Sequence, residues 1–136
     1  MFISIQIVSF DVSSLYTNVP VIEAIHLAAE RLYQLEDGKP EVEKEGFIEL
    51  AKLACSNVIM STPNGYHKQI DGLAMGSQPA LRLANLWLSQ FEDDIKDEAE
   101  IFTRYVDDIL LDIRKDDAEE RLLKINNLHQ NLKFTI

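Results

Sequence analysis

Residues 102–113 read FTRYVDDILLDI, with Asp107 and Asp108 side by side in a run that is otherwise apolar and strand-like. The segments 101–106 and 109–114 on either side predict two strands, and the acids then occupy the tip of a tight hairpin, a setting that Asp tolerates well. Two like charges about 4 Å apart repel by roughly 4 kcal/mol at the effective dielectric usual near a protein surface. Something must offset that repulsion.

Working outward, residues 2–10 are rich in Ile, Val and Phe and predict a buried strand that ends as Asp11 arrives. Pro20 opens a helix whose apolar positions Ile22, Ile25, Ala29 and Leu32 recur at three and four residues and which stops in EDGKP. A second helix carries Phe47, Leu50, Ala54 and Val58, and Thr62, Pro63, Asn64 and Gly65 then turn a small hairpin whose second arm is YHKQI. Ser77 as N-cap and Pro79 in a first turn predict a third helix from about Gln78 to about Glu98, buried through Leu81, Ala84, Leu88, Phe91 and Ile95. A last helix, about 116–132, turns Leu122, Ile125, Leu128 and Leu132 inward, and KFTI begins a further strand. The order predicts an α+β fold: an antiparallel sheet with helices packed on one face.

With 136 residues, 46% of them hydrophobic and 26% charged, the chain is expected to fold as one soluble domain. Cys55 has no disulfide partner, and neither a signal peptide nor a membrane-spanning run is present, which predicts an intracellular protein, cytoplasmic or nuclear. The net charge of −10 argues against simple electrostatic attraction to nucleic acid, so any such role draws its basic surface from elsewhere. Much of the acid lies in FEDDIKDEAE and RKDDAEER, where Glu92 with Lys96, Asp117 with Arg121 and Glu120 with Lys124 have i,i+4 spacing. These runs read as solvated helix faces.

If the strand ending at Asp11 neighbours the hairpin in the sheet, three carboxylates meet at one edge. Hard oxygen ligands suit Mg²⁺ or Mn²⁺, and a pair of ions about 3.5 to 4 Å apart serves in-line phosphoryl transfer. The backbone carbonyl of Val12 is a further candidate ligand. Each site taken alone reads better as structure than as chemistry, Asp11 as a strand-end or turn residue and Asp107 with Asp108 as a surface hairpin tip.

Three segments in order change the reading. SFDVSSLYTNVP, then DGLAMGS running into QPALRLANLWLSQFE, then FTRYVDDILL resemble motifs A, B and C of the reverse transcriptase palm, whose core is ferredoxin-like. TNVP, the KQIDGLAMGS approach and NLHQNLKFTI resemble the Penelope-like retroelement enzymes in particular. The resemblance covers nearly the whole chain, and three ordered motifs carry far more information than YVDD alone.

The resemblance implies an RNA-directed DNA polymerase that joins a dNTP to a primer 3′-hydroxyl on an RNA or DNA template. Asp11, Asp107 and Asp108 then hold two Mg²⁺ or Mn²⁺ ions, one lowering the pKa of the primer hydroxyl and the other holding the triphosphate and leaving pyrophosphate. Tyr16 matches the aromatic residue under the sugar that excludes a 2′-hydroxyl. Gly76 and Ser77 match the motif B turn that meets the template or the new base pair, and Arg104 could counter the charge of the tip or touch the primer.

The motif B segment departs from the family pattern: Gln78 stands where Pro is usual, Pro79 comes one residue later, and Leu81 and Arg82 replace a stretch where a second Pro is common. Fingers and a thumb, and in a full-length protein an endonuclease domain, would lie outside this segment, and the first two would supply the missing cations. The chain is therefore expected to be a palm fragment. Its alternative is a catalytically inactive remnant that acts as a binding module. A nucleotide cyclase uses similar carboxylate logic, but the motif B segment has no role there.

Overall fold

The computed structural model describes residues 4–114 and 117–136. Residues 2 and 3 of the expected first strand, and the expected start of the last helix at 116, lie outside the described residues. In chain order the elements are β1 (Gln6–Val12), α1 (Leu15–Asn18), α2 (Val21–Tyr33), α3 (Lys44–Cys55), β2 (Ile59–Thr62), β3 (Gly65–Lys68), α4 (Ala80–Ser89), α5 (Glu92–Lys96), β4 (Phe102–Tyr105), β5 (Asp108–Ile113), α6 (Ala118–Asn126) and β6 (Phe134–Thr135). They form two compact units, one made of the chain up to Leu15 and from Leu88 onward, the other of Tyr16–Trp87.

The first unit holds a four-stranded sheet in the order β4-β5-β1-β6. Its pairs are all antiparallel. Strands β1 and β5 alternate as a half-buried pair should: Val8, Phe10, Val12, Ile109, Leu111 and Ile113 are buried, and Ile95, Ala99, Ile125, Leu132 and Phe134 complete the core. Each large apolar side chain removed from water contributes roughly 1.5–3 kcal/mol. A slip of one residue would turn the whole buried set of a strand to the solvent, so this alternation locks the register.

One acid on the other face is also buried. Asp112, 1% exposed, accepts the Ile101 amide at 2.7 Å and Arg114 Nε at 2.7 Å. The amide bond first, and then the guanidinium, hold its carboxyl below the usual carboxylate range. The Asp112 amide returns a bond to the Ile101 carbonyl, so the chain entering β4 is fastened to β5 from both sides.

Several expectations need correction. Asp11 does not close β1, which runs through to Val12 because Thr135 and Phe134 of β6 continue the ladder there. The long third helix is two, α4 and α5, with Phe91 between them. Glu92, Asp93 and Asp94 form an acidic first turn that favours a fresh helix start, and positive φ values at Asp97 and Glu98 end it. The buried stripe of α4 is Ala80, Leu83, Ala84, Trp87 and Leu88, while Leu81 is exposed.

The acidic runs are also not simply solvated. Arg121 is 4% exposed and pairs with Asp97 at 3.2 Å, Asp117 caps α6 by accepting the Glu120 amide at 2.7 Å, and Glu92 binds Arg104.

In the second unit α2 buries Ala24, Ile25, Ala28 and Ala29, whereas Ile22 is exposed. The Tyr33 ring meets Phe47 of α3 edge-on at 6.1 Å, and its hydroxyl donates to the Val42 carbonyl at 2.6 Å. Helix α3 ends at Cys55, before the expected Val58, and has no fully buried residue. Trp87 is fully buried, with its indole N–H donated to Glu23 at 3.0 Å. The loop before α4 is stitched to α1: the Leu73 amide donates to the Tyr16 carbonyl at 2.6 Å. Gly72 has φ +79°, and a Cβ there would lie 2.5 Å from the Thr17 carbonyl oxygen. Gly76 has φ +87° but open space around it.

Gly76→Ala should therefore lose about 1–2 kcal/mol, the cost of a left-handed backbone alone. Gly72→Ala should lose a further 1–3 kcal/mol or so from overpacking against backbone. Urea unfolding midpoints check this, and equal losses would contradict the close approach at Gly72.

Candidate metal centre

The register of the sheet builds the site. Asp11 on β1 lies directly opposite Asp108 on β5 and Thr135 on β6, and Asp108 lies opposite Tyr105 on β4. Opposed residues of antiparallel strands share a face. Thr135, Asp11, Asp108 and Tyr105 thus form one row across the sheet, on the face opposite Phe10 and Ile109.

Val106 and Asp107 make the two-residue turn between the paired Tyr105 and Asp108. The Asp107 carbonyl accepts the Val12 amide at 2.9 Å, which brings the turn against the end of β1. One carboxylate oxygen from each of Asp11, Asp107 and Asp108 lies within 4.8 Å of the others. Asp11 and Asp108 are exposed and Asp107 is half-buried.

This crowding is visible in protonation. The Asp11 carboxyl is raised above its ordinary value, first by burial, then by the charges of Asp107 and Asp108 and by a side-chain hydrogen bond with Asp108. Three hard oxygen donors at this spacing suit a small divalent cation, which would offset the crowded negative charge.

The other candidate residues fall in different places. Val12 is buried, and its amide is the donor to Asp107. Tyr16 lies half-buried in α1, in the second unit. Gly76 and Ser77 lie in the turn before α4, also in that unit, with the Ser77 amide donated to the Ala74 carbonyl at 3.1 Å and the Ser77 carbonyl accepting the Ala80 amide at 3.2 Å. Ser77 thus caps through its backbone.

Arg104 stands opposite Ile109, on the buried face. Its side chain is 11% exposed, donates from Nε to Glu92 at 2.6 Å and from Nη1 to the Val106 carbonyl at 2.9 Å. It meets the tip from behind. Glu92 was invisible as its partner because FEDDIK suggests pairing along one helix. The signal that could have found it is parity, since Arg104 shares a face with Phe102, Ile109 and Leu111 and an arginine there needs an acid.

No known protein-family profile matches the chain, and no curated protein matches it. Solved structures do. Apo telomerase from Candida tropicalis, truncated from its C-terminal domain, superposes with a TM-score of 0.66 over 96% of this chain at 15% identity. Telomerase from Candida albicans, solved in complex with a TWJ fragment of telomeric RNA, gives 0.67 over 98% at 16% identity. At this coarse level the chain shares the α+β fold of these telomerase structures. It spans 29% and 27% of those two chains, less than a third of either.

Because the Asp11 carboxyl is raised in the folded state, its ionisation opposes folding at neutral pH, and the penalty fades as pH falls through the folded pKa towards the ordinary 3.8. Asp107→Asn should therefore melt higher than the wild type in EDTA at pH 7, by a few degrees, and the gap should close near pH 4. Melting curves at both pH values test the repulsion, and a variant that melts lower at pH 7 would contradict it.

Proposed function

We propose that this chain is the palm of an RNA-directed DNA polymerase of the Penelope-like reverse transcriptase type, catalysing nucleotidyl transfer from a dNTP to a primer 3′-hydroxyl on a nucleic-acid template. The observation that carries the reading is the meeting of Asp11, from motif A, with Asp107 and Asp108, from motif C, within 4.8 Å. Asp11 and Asp107 are 96 positions apart in the chain, and the ladder between β1 and β5 brings them together.

In this reading Asp11, Asp107 and Asp108, with the Val12 carbonyl, hold two Mg²⁺ or Mn²⁺ ions. Bound cations supply charge neutralisation at the transferring phosphoryl group and a lowered pKa for the primer hydroxyl. The protein's own contribution is placement. Asp11 and Asp108 sit on a row fixed by strand pairing and Asp107 on the turn beside it, so little reorganisation remains when the nucleotide arrives. Exposure of Asp11 and Asp108 on the open face leaves that row accessible to a polyanionic substrate.

Tyr16 acts as the steric gate against a 2′-hydroxyl, and Gly76 with Ser77 approaches the template or the nascent base pair. Gly76 suits that task because it has no Cβ, a left-handed backbone and open space around it. Gln78, Leu81 and Arg82 are the positions at which this contact would differ from the family pattern. A net charge of −10 cannot hold a template, so fingers and a thumb elsewhere in the full-length protein supply the cationic grip.

Primer extension on an RNA template tests the proposal, using a polypeptide in which this segment keeps its flanking reading frame. Extension should require Mg²⁺ or Mn²⁺ and fall to background in Asp107→Asn. Tyr16→Ala should extend but accept ribonucleotides. Undiminished extension by Asp107→Asn would remove the acids from the reaction.

A further inference from the structure

The turn that carries two of the three acids is strained. A two-residue hairpin loop needs left-handed backbone at its tip, which is why Gly, Asn and Asp dominate such turns. Here the position is filled by Val106, a β-branched residue, at φ +57°. A non-glycine residue there costs about 1–2 kcal/mol and persists only where its surroundings hold it. If Val106 relaxed to negative φ, the chain would leave the turn and re-aim both Asp107 and Asp108.

Two bonds hold the turn. One is the Val12 amide on the Asp107 carbonyl, at 2.9 Å. The other comes from the opposite face of the sheet: Arg104 Nη1 reaches the Val106 carbonyl at 2.9 Å, while its Nε is fixed by Glu92 at 2.6 Å. A guanidinium can do both at once because its donors form a rigid planar fork, which an ammonium lacks. Glu92 opens α5, and Ile95 of the same helix is fully buried in the core, so the far end of the clamp is anchored.

We infer that Arg104 and Glu92 are positioning residues that clamp Val106 in its left-handed conformation and thereby aim Asp107 and Asp108 at Asp11. Arg104 touches no substrate in this account. It works through the Val106 carbonyl, from the face of the sheet turned away from the acids. The inference rests on the metal-site reading for its consequence but not for its geometry. Loss of a group that orients metal ligands typically weakens metal affinity roughly 10–100-fold.

The test is NMR on labelled protein, with two readouts. In EDTA, a strong intraresidue amide-to-Hα NOE at Val106 reports positive φ directly. On Mn²⁺ titration, the midpoint for paramagnetic broadening of the Asp11 and Asp108 amides reports the assembled site. Arg104→Met should lose the NOE and shift the midpoint roughly 10–100-fold upward. Adding Val106→Gly, which tolerates positive φ freely, should recover most of that shift.

Arg104→Lys, which keeps the charge, serves if Arg104→Met does not fold, and it should weaken the NOE and raise the midpoint as well. An unchanged NOE and midpoint in Arg104→Lys or Arg104→Met would overturn the clamp, as would failure of Val106→Gly to recover the midpoint. Loss of the NOE in a protein whose wild type shows no Mn²⁺ broadening would support the clamp and overturn the metal reading.

Discussion

Everything in the site depends on one antiparallel register, the pairing of Asp11 with Asp108 along β1 and β5. Hydrophobic burial sets that register, not the acids. Val8 with Leu111 and Phe10 with Ile109 face the core in opposed pairs, and the next position along the ladder brings the two carboxylates together on the other face. The core thus forces together groups that repel, and the buried pairs must outweigh that repulsion for the sheet to form. Strain is concentrated in the same few residues. The Asp11 carboxyl is raised, Val106 has a left-handed backbone, and Arg104 and Glu92 are committed to holding the turn.

The two faces of the sheet divide the labour. The buried face carries packing and, through Arg104, the clamp on the turn. The open face carries Thr135, Asp11, Asp108 and Tyr105 in one row. Such a division lets a fold tune its site from behind without obstructing access from the front. The second unit is built differently, with Trp87 buried and bonded to Glu23 and Gly72 closed against the Thr17 backbone.

Much of this was legible in the residues. FTRYVDDILLDI announced a hairpin because strand-like segments flank the paired acids on both sides, and the three ordered motifs predicted that Asp11 would join them. The coarse likeness to telomerase structures agrees with that fold. What periodicity could not reveal were the tertiary events. An uninterrupted apolar stripe hid the break at Phe91, although the acids at 92–94 were a readable start signal. Charge spacing proposed helix-face pairs for Glu92 and Arg121, whereas the structure gives Glu92 to a strand and buries Arg121 beside Asp97. An i,i+4 rule sees only neighbours on one helix. The end of β1 was misplaced by a single residue because Asp looked like a terminator, when its side chain simply points to the open face.

The proposed divalent-cation site joins Asp11, brought in by strand register, to Asp107 and Asp108 on the clamped turn. Mn²⁺ titration followed by electron paramagnetic resonance tests it most directly, since bound and free ion give different signals. The account predicts uptake by the wild type and its loss in Asp11→Asn, a variant with both acids of the hairpin still in place. Uptake that Asp11→Asn leaves unchanged would show that the hairpin binds cations by itself and would contradict the claim.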